Sequence, residues 1–375
     1  MRAFAPRGAH HSTRAGGGPG RGGLPTAGHR SEGRQQMNEP EEFDVLEEQN
    51  GFTRRDVFVK GGLLAAGATV LGAPGVAAAA VERSARGPRS LKIAVITHGA
   101  GDTFWAVAHK GASAAGGDLG ITVQYVESFN NPQKQAQLIN TAVAQKVKGI
   151  ATSVPNPDAM KDAFARAKKA GIPFITLNSG LEVFKKFGAI THVGQTETIA
   201  GNGAGAKLKA AGLKRLLVII HEQGNVGLEQ RYAGAKAGFK GTVERLQVKG
   251  VTDLATSQNQ IRTKLQVDKA VDAVLSLNPD IAAAALAAAK SANSKAKIAT
   301  FDLSSPVITA IQNGQILFAI DQQQYLQGYL PVVFLYLYNT NLNTVGGGQP
   351  VLTGPGFVDK SNAAKVAALA KKGTR

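Results

Sequence analysis

The chain has 375 residues, 43% of them hydrophobic, with a formal net charge of +17 and no cysteine. That length supports two ordinary domains with sizeable cores, and the missing cysteines exclude a disulfide framework, a thiolate metal site, a cysteine nucleophile and a lipid-anchored cysteine. The basic excess belongs to the part after residue 80 and is spread along helix faces, as at Lys168, Lys169, Lys207 and Lys209, without interleaved aromatics. It reads as solvated surface, so no nucleic-acid partner is expected.

Residues 1–36 are rich in Gly, Arg, Ser and Pro and cannot bury enough apolar surface to fold. Met37 opens an acidic stretch and is a candidate start of translation, and the whole of 1–52 is expected to be a disordered extension. Residues 53–80 resemble a twin-arginine export signal: Arg54-Arg55, then Phe58 and Lys60, then a mildly apolar run, then the small residues Ala77 to Ala80. The run is too interrupted by Gly and Pro to be a membrane span of about 20 strongly apolar residues, although an uncleaved anchor is the alternative reading. This signal implies a protein that leaves the cytoplasm folded, for the periplasm or the outside of the envelope. Residues 81–90 read as a polar linker.

From Leu91 the pattern is regular. Strands are expected at residues 91–97, 121–127, 149–154, 173–178 and 189–193, with helices starting near Phe104, Pro132, Pro157 and Leu181. A second series has strands at 215–221, 243–248, 273–277, 297–301 and 316–320, with helices near Thr196, Val226, Thr256, Pro279 and Ser304. Strands alternating with helices of this length indicate βαβ units and parallel sheets, here an α/β protein of two similar lobes with helices on both sheet faces. Several strands end abruptly in polar residues: Asn178, Asn278, Asp302, Asp321 with Gln322, and, after the first strand, Asp102 followed by Phe104 and Trp105. Ligands of open α/β sheets bind outside the carboxyl ends of parallel strands, so these tips mark the expected site.

The same residues carry a resemblance. A first strand leading to Asp102-Thr103-Phe104-Trp105, the segment ITLNSG ending at Gly180, His192-Val193-Gly194, Arg231-Tyr232-Ala233-Gly234, and TFD and AIDQ ending at Asp302 and Gln322 occur in this order over nearly all of 91–375. Together they resemble the ribose-type, type I substrate-binding proteins of ABC sugar importers. The resemblance implies two Rossmann-like lobes, 91–193 plus 323–352 and 194–322 plus 353–375, joined by three hinge crossings near 193–195, 322–323 and 351–354. It further implies a small sugar or polyol in the cleft, a monomer that meets ABC permease subunits, and no cofactor.

Sugars present hydroxyls that donate and accept, and apolar C–H faces between them, so carboxylates, amides and flat rings are the matching groups. The expected ligand-binding set is Asp102, Phe104, Trp105, Asn178, Arg231, Asn278, Asp302 and Gln322, with Arg231 placed to neutralise Asp302. Many relatives have an Asp-Arg pair where this chain has Asn178-Ser179. Lesser strand-end candidates are His98, Glu127, Gln195, Glu197 and His221. Each candidate also has a plain reading: Asn178 and Asn278 as helix caps, Phe104 and Trp105 as core, Arg231 bridged to Glu229.

An enzyme is disfavoured. Gly201-Asn202-Gly203-Ala204-Gly205-Ala206 fits a loose dinucleotide pattern but follows a helical stretch, not a strand. No phosphate-binding loop, zinc-protease or hydrolase motif occurs, the histidines lack metal-ligand spacing, and Asp102 and Asp302 have no evident acid–base partner. Catalytic and metal residues are therefore expected to be absent. The alternatives to transport are a sugar sensor docking on a signalling receptor and, less well supported, a sugar-modifying enzyme.

Overall fold

The computed structural model describes residues 91–375. The extension at 1–52, the export signal at 53–80 and the linker at 81–90 lie outside the described residues. The first series of elements is β1 (Lys92–Thr97), α1 (Thr103–Leu119), β2 (Thr122–Glu127), α2 (Pro132–Ala144), β3 (Gly149–Ser153), α3 (Pro157–Lys169), β4 (Phe174–Asn178), α4 (Phe184–Phe187) and β5 (His192–Gln195). The second is α5 (Glu197–Ala210), β6 (Arg215–Ile220), α6 (Val226–Phe239), β7 (Thr242–Gln247), α7 (Leu254–Val267), β8 (Ala273–Ser276), α8 (Pro279–Ser291), β9 (Lys297–Phe301), α9 (Ser305–Gln312) and β10 (Ile316–Asp321). The chain ends with α10 (Gln324–Asn341), β11 (Val351–Gly354), β12 (Gly356–Asp359) and α11 (Ala363–Lys372).

Two six-stranded sheets result, in the orders β11-β5-β4-β3-β1-β2 and β12-β10-β9-β8-β6-β7. All pairs are parallel except β10 with β12. The period of two along each strand explains why both faces are covered. In β1, Ile93 and Val95 pack with Trp105 of α1 and Val332 of α10, whereas Ala94 and Ile96 pack with Ile139 of α2 and Phe164 of α3. In β6, Leu216, Val218 and Ile220 face α5 and α6, and Leu217 and Ile219 face α7 and α8.

Many helices begin where a strand stops because a short polar residue caps them. Asp102, Asn131, Asn156, Asn225, Asn278 and Ser304 each accept a first-turn backbone N–H with the side chain. Prolines in the first turns of α2, α3, α8 and α9 cost no hydrogen bond there.

The expected strand at 189–193 is corrected to His192–Gln195. The Ala189 amide is still tied back to the Phe184 carbonyl at the start of α4, and residue pairing with β4 begins at His192. The expected helix near Leu181 is a single turn at Phe184–Phe187. Strands β11 and β12 join one sheet each and extend the series beyond the ten expected strands.

Candidate functional site

A narrow cavity lies at the carboxyl ends of the strands, between the two sheets. All eight expected residues line it: Asp102, Phe104, Trp105, Asn178, Arg231, Asn278, Asp302 and Gln322. Of the lesser candidates His98 and His221 also line it, while Glu127, Gln195 and Glu197 do not.

On the side of the first sheet, Asp102 caps α1 by accepting from Trp105 N at 2.9 Å. The cap turns the chain so that Phe104 and Trp105 project from the first turn. The two rings meet edge to face, 4.8 Å between centroids, and Trp105 meets the His98 ring in the same way at 4.9 Å. Trp105 is buried and belongs to the core as well as to the cavity wall. Asn178 ends β4 in the left-handed region, φ 58°, and donates to Gln322 Oε1 and Gln327 Oε1. Its side-chain Oδ1 accepts from the Ser179 hydroxyl at 3.1 Å.

From the second sheet comes the guanidinium of Arg231, one turn into α6. Arg231, expected to neutralise Asp302, forms its fork on Glu197, Nε to Oε2 at 2.6 Å and Nη2 to Oε1 at 2.9 Å, and lies over the Phe301 ring at 4.5 Å, while its charge acts on Asp302 without a direct ion pair. Glu229 pairs with Arg245 instead. Burial works against the Arg231 charge, but the Glu197 carboxylate holds its pKa above the ordinary value. Gln195 donates to the same carboxylate at 2.9 Å. Thus Glu197, two residues past the end of β5, orients the guanidinium from behind.

Asn278 caps α8 through Oδ1 and extends Nδ2 across the cavity to Asp102 Oδ2 at 3.1 Å. Asp302 directly follows β9 at φ 69° and accepts from Gln322 Nε2 at 2.8 Å. Left-handed backbone in an aspartate is uncommon, and at such positions strain accompanies a placed side chain. Asp321, expected beside Gln322 at the site, does not line the cavity: its buried carboxylate accepts from Arg375 Nε at 2.6 Å. A side chain one residue further along the strand points the other way.

Burial pushes the Asp102 carboxyl up to about 8 and that of Asp302 up to about 7, the latter held back by the nearby Arg231 charge. Glu222 behaves oppositely. Burial alone would raise it, but His98, His221 and the Asn225 amide hold it well below the usual carboxylate range. Its Oε2 accepts from Asn225 Nδ2 at 2.6 Å and lies 3.2 Å from His98 Nε2. Burial takes His221 down to about 4. The cavity therefore offers one firmly ionised acceptor, two readily protonated ones, a guanidinium, several amides and two rings. That set suits a neutral molecule with many hydroxyls. Among the described residues no cluster of three or more His, Cys, Asp or Glu could hold a metal.

Glu222, Asn225 and Ser179 were absent from the expected set. The first two lie in HEQGN, directly after the apolar run RLLVII, so the rule of polar strand tips could have found them. Ser179 follows Asn178 and reaches Asn225 at 3.4 Å.

The periplasmic binding protein domain family matches residues 93–340. The ribose import binding protein of Haemophilus influenzae is 26% identical over 260 residues, which is 68% of this chain and 87% of that protein. A carbohydrate transporter structure from Acidothermus cellulolyticus, in complex with myo-inositol, is 45% identical, covers 76% of this chain and 99% of its own, and superposes with a TM-score of 0.75. A periplasmic sugar-binding protein of an ABC sugar transporter from Legionella pneumophila is 26% identical, covering 70% of this chain and 98% of its own, with a TM-score of 0.65. The family match begins in β1 and ends within α10, taking in strands of both sheets and most of the cavity wall, so the chain belongs to the periplasmic binding protein domain family, with the type I fold of the ribose-type proteins that serve ABC sugar importers.

Proposed function

We propose that this chain is an exported solute-binding protein that captures a sugar or polyol between two lobes and delivers it to the membrane subunits of an ABC importer. The observation that carries the reading is the convergence of hydroxyl-matching side chains from both sheets, Asp102 and Asn178 on one side and Arg231, Glu222 and Asp302 on the other, around one cavity walled by Phe104 and Trp105. The relative bound to myo-inositol, at 45% identity, favours a cyclic polyol over an open-chain one. Asp302 and Glu222 accept from ligand hydroxyls, the Arg231 and Asn178 side chains donate to ligand oxygens, and the two rings cover a C–H face.

The lobes are the bodies that move. One is 91–193 plus 323–352 and the other 194–322 plus 353–375, with crossings where β5, β10 and β11 end. Closure over the ligand is a hinge motion, and the closed form is what the permease meets. The protein works as a monomer, makes no bonds and uses no cofactor. It reaches the envelope by the twin-arginine route, through Arg54 and Arg55.

A thermal-shift screen with inositols, pentoses, hexoses and linear polyols tests the reading. One or a few cyclic polyols should raise the melting temperature saturably, as ligand that binds only the folded state must. A screen in which none of them shifts it, repeated by calorimetry, would overturn the sugar-binding role.

A further inference from the structure

Two helix N-termini meet at the rim of the cavity, one from each side. α1 starts at Thr103 and α8 at Pro279, and Asp280 is the second residue of α8. Its carboxylate reaches across the gap: Oδ2 accepts from the Thr103 backbone N–H at 3.0 Å and Oδ1 from the Thr103 hydroxyl at 2.7 Å. Neither residue lines the cavity. At home Asp280 has no capping duty, because Asn278 Oδ1 already accepts from Asp280 N and Ile281 N. On the other side Asp102 serves Trp105 N and leaves the Thr103 N–H free for an outside acceptor. Asp280 supplies it.

We propose that Asp280 is a positioning residue for closure: a latch that touches no ligand atom and adds affinity by holding the α1 and α8 ends together. The proposal rests on the solute-binding reading. A carboxylate accepting two hydrogen bonds at the positive end of α1 is favourable, and both bonds exist only while the two ends meet. Asn278 Nδ2 to Asp102 Oδ2 joins the same helix caps inside the cavity, where ligand competes for those groups. The Thr103–Asp280 pair lies outside that competition. It therefore stabilises closure by the same amount whatever the cavity holds, which shows as slower dissociation and not as selectivity.

The test compares wild type, Asp280→Ala, Thr103→Val and the double variant, each first confirmed to be folded by its melting curve. For the best polyol of the screen and for a weaker one, Asp280→Ala should weaken binding by the same factor, about tenfold, through a faster off-rate. Thr103→Val, which keeps the N–H, should cost less, and the double variant no more than Asp280→Ala alone. Unequal factors for the two polyols would make Asp280 a ligand contact, and unchanged or additive effects would leave no latch; either overturns the proposal. If no polyol binds the wild type, the solute-binding reading fails separately. The latch is then judged on spin labels at Lys161→Cys and Lys290→Cys, feasible because the chain has no cysteine of its own. Asp280→Ala should shift that distance distribution to longer values, and superimposable distributions overturn the latch.

Discussion

Asp102 and Asp302 face one cavity as carboxyl groups that burial makes reluctant to ionise, and this has a consequence for the free protein. Their folded-state pKa values, about 8 and about 7, lie above the ordinary aspartate value of 3.8, so over the range between them the folded state holds protons that the unfolded state has released. Stability then falls as pH rises, by roughly 1.4 kcal/mol per pH unit for each group still protonated when folded. The buried His192 and His221, lowered to about 3 and about 4, work in the other direction, but only as pH falls below their unfolded value of 6.5. Between about pH 6.5 and about pH 8 the aspartates act alone. Urea unfolding of the ligand-free protein should therefore give a lower stability at the upper end of that window, and Asp302→Asn should flatten the fall. A stability that is level or rises across the window would show that both aspartates ionise freely in the folded protein. These carboxyl groups were legible as strand-tip residues, but their states were not. The partner of Arg231 was missed because Glu197 comes from the first turn of α5, 34 positions away, and pairing across helices is not written in local sequence.

Arg231 and Glu197 can meet because α5 and α6 cross with their backbones in near contact. A Cβ on Gly234 would fall on the Thr198 carbonyl oxygen, and one on Gly201 on the Arg231 carbonyl oxygen, so only glycine admits the crossing. The G-x-G-x-x-A stretch at 201–206 is therefore helix and not a phosphate loop, with Gly201 and Gly205 on the face of α5 that packs against α6. Gly234→Ala should push the helices apart, cost about 1–3 kcal/mol by overpacking and weaken ligand binding, since Arg231 lies one turn away on α6. Gly117→Ala is the control. It sits on the exposed face of α1 with open space around the new methyl, and should gain about 0.5–1 kcal/mol from helix propensity. Chemical denaturation of both variants checks the pair, and equal effects would dismiss the packing account. At this scale the sequence was readable where an element is local. Ten strands were legible from apolar runs such as RLLVII and KIATF, and the helix starts at Pro132, Pro157 and Pro279 from an Asn followed by Pro. Strands β11 and β12, four residues each around Pro355, lack a run long enough to show a period, and only their distant partners β5 and β10 make them strands.

Neither sheet is complete until almost the whole chain has been made. The first needs β11 beside β5, and its α1 face needs α10, whose Val332 and Leu335 are fully buried against it. The second needs β12 beside β10. Contacts this distant in sequence are slow to form, and domains fold as units once their residues are available, so a nascent chain emerging from the ribosome lacks the last strand of both sheets. An export route that threads unfolded chains would carry incomplete lobes, whereas one that accepts folded proteins gives the chain time to close both sheets first. The paired Arg54-Arg55 ahead of a weakly apolar run fits the second kind. Replacing both arginines by lysine keeps the charge and removes the planar guanidinium pair. The expected outcome is a precursor that accumulates in the cytoplasm already folded, seen as protease resistance and polyol-induced thermal shift in the cytosolic fraction. Secretion at the wild-type level would remove the twin-arginine assignment, and a cytosolic precursor that is protease-sensitive and blind to ligand would remove the link between export route and interleaved lobes.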